Sequence, residues 1–260
     1  MTRSIIVACL AVLVGNQSLA GGFDRELFES WLDMRAGGGE TDVYWYSEGL
    51  IKRFPDGETT AKMIGFDVAR LLRDPANPNK AIQLSRKIFY FFDPKTGERL
   101  DREPIAYPHQ LKIYELKGDE IVYTVESNNG RSVYTLGPME NYTAQRIDGV
   151  QWFNYSVFIQ RGSGKFENSD FYVRPDKDAS ELERYQQTWV SYGVGPIVST
   201  AVAWRYSSFE AMPEVITKIV REEAPMWLEP PQDMSEIKRL RAEIGERAAA
   251  PTASRERDIY

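Results

Sequence analysis

The stretch IVYTVESNNGRSVYTL, residues 121–136, contains two segments in which apolar and polar residues alternate on either side of an Asn-Gly turn. Alternation with a period of two is typical of a β-strand that buries one face. Asn-Gly between two such segments favours a tight turn, because both residues tolerate a positive φ. The stretch therefore predicts an antiparallel hairpin with strands at 121–126 and 132–136.

Strand-like segments of this kind recur along most of the chain. The further segments are 43–50, 61–71, 83–92, 110–116, 150–160, 166–174, 186–192 and 197–207. Turn residues separate them, for example Pro55-Asp56-Gly57 and Asp93-Pro94-Lys95-Thr96-Gly97. Many short strands joined by turns are typical of an antiparallel sandwich or barrel. We expect a mainly β protein built as an antiparallel β-barrel of the calycin or lipocalin type.

One helix is predicted before the strands and two after them. At 24–35 an apolar face ends at a run of three glycines, and a second stripe follows Pro213 and stops at Pro225. Asp233 with Glu236 resembles a capping box that begins the third helix. The three apolar faces are Leu27, Phe28, Trp31 and Leu32, then Val215, Ile216, Ile219 and Val220, then Ile237, Leu240 and Ile244.

The first twenty residues have the pattern of a secretory signal: Arg3, a short apolar run at 5–14, and small residues at Ser18-Leu19-Ala20. The apolar run is too short to span a bilayer. We therefore expect a periplasmic protein with no transmembrane segment after the signal is removed. The predicted organisation is a signal peptide at 1–20, a single β-barrel domain at 21–231, and a C-terminal helix with a frayed tail at 232–260.

Composition restricts the chemistry that the mature chain can perform. Its one cysteine, Cys9, lies in the signal, and one histidine, His109, remains. Disulfides, cysteine nucleophiles and histidine-rich metal sites are thereby excluded. The net charge is −6, or −7 without the signal, whose only charged residue is Arg3, which argues against nucleic acid as a partner. No dinucleotide or phosphate-loop motif is present, so the sequence predicts no metal and no cofactor. The sequence is compatible with a homo-oligomer.

Several motifs occur in an order that resembles the domain of unknown function 1838 family. They are Val43-Tyr44-Trp45-Tyr46-Ser47-Glu48-Gly49, Gly65-Phe66-Asp67-Val68-Ala69-Arg70, Phe92-Asp93-Pro94-Lys95-Thr96-Gly97-Glu98, Trp204-Arg205-Tyr206-Ser207-Ser208-Phe209, Met212-Pro213-Glu214 and Trp227-Leu228-Glu229-Pro230-Pro231. The resemblance covers roughly residues 31–231. It implies a compact β-rich domain in an exported bacterial protein, and it implies no particular activity or catalytic residues.

Three residues are candidates for catalysis. Glu48 shares a strand face with Tyr44 and Tyr46, and if that face points inward, desolvation raises its pKa and suits it to proton transfer. The alternative is that Glu48 faces solvent or pairs with a basic neighbour such as Arg70 or Arg86. His109 titrates near neutral pH without help, although a solvated loop histidine is the simpler interpretation. Arg205 could hold an anionic oxygen or neutralise Glu48, while a structural salt bridge is the alternative.

Aromatic and amide side chains complete the predicted site. Six Trp, fourteen Tyr and twelve Phe give the chain an unusual aromatic content that suits an apolar pocket. The substrate-binding candidates are Tyr44, Tyr46, Tyr107, Trp152, Asn154 and Trp204. Asp67, Asp170 and Arg174 are further polar residues on strands without a distinguishing pattern.

Two functions fit these residues. The first is a cofactor-independent lyase or isomerase that acts on a small hydrophobic, aromatic molecule by acid/base proton transfer in the barrel cavity. The second is a non-catalytic, lipocalin-like carrier of a small hydrophobic ligand, which needs the same cavity but no titrating group inside it.

Overall fold

The computed structural model describes residues 22–128, 133–161, 164–175, 183–192 and 196–249. Ten antiparallel strands form a closed barrel in which β1 pairs with both β2 and β10. The strands are β1 (Val43–Arg53), β2 (Thr59–Arg73), β3 (Lys80–Phe92), β4 (Ile105–Lys117), β5 (Glu120–Asn128), β6 (Val133–Ile147), β7 (Val150–Arg161), β8 (Gly164–Arg174), β9 (Arg184–Tyr192) and β10 (Ile197–Tyr206). The helices are α1 (Arg25–Ala36), α2 (Glu214–Glu223) and α3 (Met234–Ala249).

The predicted mainly β fold, with an antiparallel barrel, one N-terminal helix and two C-terminal helices, is confirmed. Each of the ten predicted strand segments corresponds to an observed strand. The largest difference is β6, which continues to Ile147 rather than ending at residue 136. Residues 129–132, which include the predicted Asn-Gly turn, lie outside the described residues, as do the predicted signal and the end of the predicted tail.

One hydrophobic cluster identifies the inner face of the barrel. All ten strands contribute to it, through residues such as Trp45, Tyr114, Phe153, Tyr185 and Ala203. A cluster shared by every strand of a closed barrel can form only on the inside, because the outer faces of opposite strands never meet. Residues two positions apart share a face, so the register assigns the orientation of the other strand residues.

Helix α1 closes one end of the barrel. Asp24 caps it, with its carboxylate accepting from the Leu27 amide at 2.8 Å, and Gly37 ends it with a positive φ of 79°. The helix places Trp31, which is fully buried, among the inward aromatic side chains. The predicted apolar face of this helix is therefore part of the barrel core.

Helices α2 and α3 cover the outer face instead. Ile216 and Val220 of α2 pack on outward residues of β1 to β3, and Ile237 of α3 packs on Leu84 and Leu111 of β3 and β4. Val215, expected in the buried stripe of α2, is 46% exposed, so that prediction is wrong. None of the helices in the described part of the chain is long and apolar enough to cross a membrane.

Candidate functional site

The face of β1 that carries Tyr44, Tyr46 and Glu48 points out of the barrel. Trp45 and Ser47 occupy the inward positions, and Trp45 belongs to the cluster that all ten strands share. Tyr46 lies under α2 and donates a hydrogen bond to Glu48 Oε1 at 2.6 Å. The prediction that an inward Tyr face desolvates Glu48 is therefore wrong: Glu48 is exposed and lines an outer groove of about 660 Å³.

Three further predicted binding residues also lie on the outer face. Trp204 stacks on Tyr46 at a ring distance of 6.3 Å, and both pack in the outer cluster under α2. Trp152 contacts the ring of Phe171 at 5.3 Å, and Asn154 on the same face of β7 is exposed. Tyr44, Tyr46, Trp152, Asn154 and Trp204 therefore do not line the interior.

His109 is buried, but on the outer side of the barrel wall beneath α3. Its Nδ1 lies 2.9 Å from Asn128 Nδ2, and its Nε2 lies 3.8 Å from Glu126 Oε1. Burial first, then the positive charges of Arg241 and Arg86, lower the pKa of His109 to about 4. The prediction that His109 lies solvated or catalytically active at the barrel rim is therefore wrong. The imidazole is buried between the barrel wall and α3, and it is neutral near pH 7.

Arg205 and Tyr107 lie on inward positions, opposite Trp45 and Lys87 respectively. Arg205 does not contact Glu48. Its Nη1 donates to Glu183 Oε2 at 2.5 Å, and Arg174 Nε lies 2.8 Å from the other oxygen of that buried carboxylate. Arg205 therefore forms a structural salt bridge at the α1 end of the barrel, which was the alternative interpretation of this residue.

The interior is dominated by an arc of six buried tyrosines on β4 to β9. Its members, called the tyrosine arc below, are Tyr114, Tyr123, Tyr142, Tyr155, Tyr172 and Tyr185. The rings of Tyr142 and Tyr155 stack at a centroid distance of 4.6 Å, and those of Tyr172 and Tyr185 lie tilted at 4.9 Å. Burial raises the pKa of each phenol in the arc, so each remains neutral and can donate a hydrogen bond.

Ionisable side chains face the interior beside this arc. Asp67 of β2 is opposite Lys87 of β3, and Lys87 Nζ lies 3.3 Å from Asp67 Oδ2. The pair lacks hydrogen-bond alignment, and neither carboxylate oxygen of Asp67 accepts a hydrogen bond from any described residue. A buried carboxylate with free acceptor positions is costly unless a ligand or water uses them.

Lys112 is an interior base whose pKa is lowered by its surroundings. It lies on β4 opposite Gln83 and two residues from Tyr114, so it shares the inward face with the tyrosine arc. Desolvation, followed by repulsion from Arg35 and Lys87, lowers its pKa to about 7, although Asp67 and Asp170 oppose the change. An amine with this pKa is half protonated near neutral pH and can act as an acid or a base.

Asp170 differs from Asp67 because its hydrogen bonds are satisfied. Its Oδ1 accepts from Gln187 Nε2 at 2.9 Å and from Asn168 Nδ2 at 3.3 Å, and its Oδ2 accepts from Tyr172 at 3.1 Å. These neutral donors hold the carboxylate in place. The structure therefore separates a carboxylate that accepts three hydrogen bonds, Asp170, from one that accepts none and contacts only the Lys87 ammonium, Asp67.

Side chains do not completely fill the barrel at the height of these charges. Lys87, Lys112 and Gln187 face inward and yet keep accessible surface. On the adjoining wall the inward residues are small: Ser47 and Gly49 on β1, and Ala201 and Ala203 on β10. These small residues let neighbouring strands and side chains pack closely on this wall, and the larger charged side chains lie on the opposite wall. The expected ionisable groups do face the interior, but Asp67, Lys87 and Lys112 supply them rather than Glu48 and His109.

Sequence reasoning named Asp67 and Asp170 without assigning them a role, and it did not consider Lys87 or Lys112. Alternation would have placed Lys112 on the same face as Tyr114, and Asp67 on the face of Ala69 and Leu71. A charged residue that shares a strand face with apolar and aromatic residues is the pattern that could have identified Asp67 and Lys112 as interior charges. Among the described residues, no cluster of three or more His, Cys, Asp or Glu side chains could hold a metal ion.

No protein-family model and no curated protein sequence matches the chain. Among solved structures, the chain is similar to an S-type phycobiliprotein lyase from Guillardia theta. The two are 10% identical in sequence, with a TM-score of 0.37, and the match covers 70% of this chain and 96% of that one.

Proposed function

We propose that this protein is a cofactor-independent lyase or isomerase that binds a small aromatic molecule inside the barrel and transfers a proton within it. The observation that carries the proposal is the buried carboxylate of Asp67, which accepts no hydrogen bond and faces the same interior as Lys112, whose pKa is about 7. Proton-transfer catalysis needs a base, an acid and a site sheltered from water, and these two groups supply the base and the acid.

In the proposed reaction, Asp67 takes a proton from a carbon atom of the substrate. The electron pair of that C–H bond moves toward a substrate oxygen, and the Lys112 ammonium donates a proton or a hydrogen bond to it. Lys87 holds the Asp67 carboxylate in position through their 3.3 Å contact. The tyrosine arc provides aromatic walls against which the ring of the ligand packs.

The carrier is the second candidate, favoured by the aromatic lining that it would share with the enzyme. A carrier has no use for a buried carboxylate without hydrogen bonds or for a desolvated amine, both of which reduce the stability of the barrel. The interior charges therefore favour the enzyme over the carrier.

Binding inside the barrel is tested with a panel of small aromatic compounds and a matched pair of variants. Gln187 faces inward and Gln186 faces outward on the same strand. Gln187→Trp fills the interior, so it should abolish the thermal stabilisation given by compounds that bind the wild type, whereas Gln186→Trp should preserve it. Equal binding by the wild type and Gln187→Trp would place the site elsewhere and refute the proposal.

Catalysis is tested by incubating each bound compound with the wild type, Asp67→Asn and Glu48→Gln, and analysing the products by mass spectrometry. Asp67→Asn should lower turnover by about 10²-fold or more, the usual contribution of a general base. Glu48→Gln removes an outward carboxylate and should leave turnover unchanged. Recovery of every bound compound unaltered from the wild type would identify a carrier.

Export and family membership also remain proposals. We propose a periplasmic protein on the pattern of residues 1–20, and membership of the domain of unknown function 1838 family on the motifs quoted above. The mass of the protein recovered from a bacterial periplasm after expression of the full chain tests the first, since cleavage near residue 20 shortens it. An uncleaved cytoplasmic product would contradict it.

A further inference from the structure

A buried arginine without a counter-ion closes the α1 end of the barrel interior. Arg35, in the last turn of α1, is 1% exposed. Its guanidinium lies 5.2 Å from the ring centre of Tyr172 and 5.8 Å from those of Trp45 and Tyr185. Its Nε and Nη1 donate no hydrogen bond to any described residue, and the side-chain hydrogen bond that the guanidinium does make is to the neutral hydroxyl of Tyr114. Aromatic rings compensate only part of the cost of burying a cation, so this charge needs another explanation.

The charges around Arg35 do not balance in the middle of the interior. Among the described residues the cations there are Arg35, Lys87 and Lys112, and the carboxylates are Asp67 and Asp170. Asp67 lies beside Lys87, and Asp170 is held by neutral donors, so neither forms a salt bridge with Arg35, although the charge of Asp67 acts on Arg35 from a distance. With Lys112 protonated, the interior has an excess of one positive charge.

The charged cluster at the α1 end does not supply the missing anion. There Glu183 and Asp33 face Arg174 and Arg205, and these two carboxylates and two guanidinium groups neutralise each other. The excess positive charge therefore belongs to the interior itself. Lys112 is the cation of the interior that combines accessible surface with no carboxylate partner within 4.0 Å among the described residues.

We propose that the molecule bound inside the barrel is an organic anion, a small aromatic compound whose carboxylate pairs with Lys112 while the unmatched charge of Arg35 stabilises it from behind. This inference rests on the proposed function and names the class of its ligand. A carboxylate at this position neutralises the excess charge and gives the Lys112 ammonium the acceptor that the empty interior lacks. Burial makes such a charge-assisted contact stronger than it is in water.

A pair of probes that differ in charge and little in shape tests the inference on the wild-type protein. Phenylacetate and phenylacetamide fit the same aromatic walls, and only the first carries a negative charge. We expect phenylacetate to bind at least about tenfold more tightly by calorimetry at neutral pH, as a charge-assisted hydrogen bond predicts. Equal affinity for the acid and the amide, or no binding of either, would overturn the inference.

Three variants assign the preference to particular residues. Lys112→Met should reduce the acid-to-amide ratio to near one, and Arg35→Met should lower it without removing amide binding. Lys117→Met, on the same strand and exposed, should leave the ratio unchanged. Lys112→Met removes a desolvated charge and is expected to fold, so it decides the question even if Arg35→Met does not fold. An unchanged ratio in Lys112→Met would refute the assignment.

Gln187→Trp separates failure of this inference from failure of the proposed function. If the acid and the amide bind equally and Gln187→Trp weakens both, the interior binds small molecules without selecting anions, and only the ligand class is wrong. If Gln187→Trp affects neither, the binding site is not inside the barrel, and the proposed function fails as well.

Discussion

Replacing Lys112 by Met should stabilise the protein, and the size of the gain follows from the pKa of the amine. The pKa falls from 10.5 to about 7 because the side chain is desolvated and faces Arg35 and Lys87. That fall corresponds to about 5 kcal/mol, since each pKa unit is worth about 1.4 kcal/mol. Met has a similar length and no charge, so it fills the same space without this cost.

The pH dependence of that gain has a definite sign. Between about pH 7 and 10.5 the unfolded chain holds a proton that the folded protein has released, so stability rises with pH in this window. Below about pH 7 both states are protonated and the full cost is present. Lys112→Met should therefore be most stabilising in mild acid and have little effect in strong base.

The assay is thermal or urea unfolding of the wild type, Lys112→Met and Lys117→Met. At about pH 6 we expect Lys112→Met to raise the melting temperature by about 10 °C, given about 2–4 °C per kcal/mol for a domain of this size. The exposed Lys117→Met should stay within about 0.5 kcal/mol. A less stable Lys112→Met would show that the ammonium stabilises Asp67 instead, and a gain independent of pH would refute the electrostatic explanation.

Three other outcomes follow from the structure. Trp31→Ala should lower the free energy of unfolding in urea by about 3–5 kcal/mol, because it removes the aromatic side chain that fills the α1 end of the barrel. Val215→Ala, on the exposed side of α2, should lower it by less than about 0.5 kcal/mol. Similar values for both variants would contradict the assignment of the core. With a pKa of about 4, His109 should reduce stability by about 3 kcal/mol as pH falls from about 6.5 to 4, and His109→Gln should remove that slope. Because the chain has one histidine, proton NMR can follow its titration directly, and a midpoint near 6.5 would show that it is not buried. Glu48→Gln should leave stability within about 0.5 kcal/mol, as expected for an exposed carboxylate, and a larger loss measured in urea would show that its bond from Tyr46 anchors α2.

Local patterns in the sequence were sufficient for the elements of this fold. Period-two alternation located all ten strands, and the apolar face of residues 24–35 located α1 between Asp24 and Gly37. These signals are local because strand alternation and helix caps depend on neighbours only a few residues away. The extension of β6 to Ile147 was missed, since pairing with β5 and β7 maintains it through a region with register shifts.

The candidate site depended on a choice that the sequence alone could not make. Alternation correctly separated Tyr44, Tyr46 and Glu48 from Trp45 and Ser47, but both faces of β1 carry aromatic and polar residues. Usually the more apolar face is the inner one, yet here the outer face is also aromatic because α2 covers it. Which face points inward was decided by α1, which inserts aromatic side chains into one end of the barrel and surrounds them with residues from all ten strands. The alternation of side chains along each strand thus determined the elements of secondary structure. The packing of α1 inside the barrel and of α2 on its outer face determined which charged side chains face the interior.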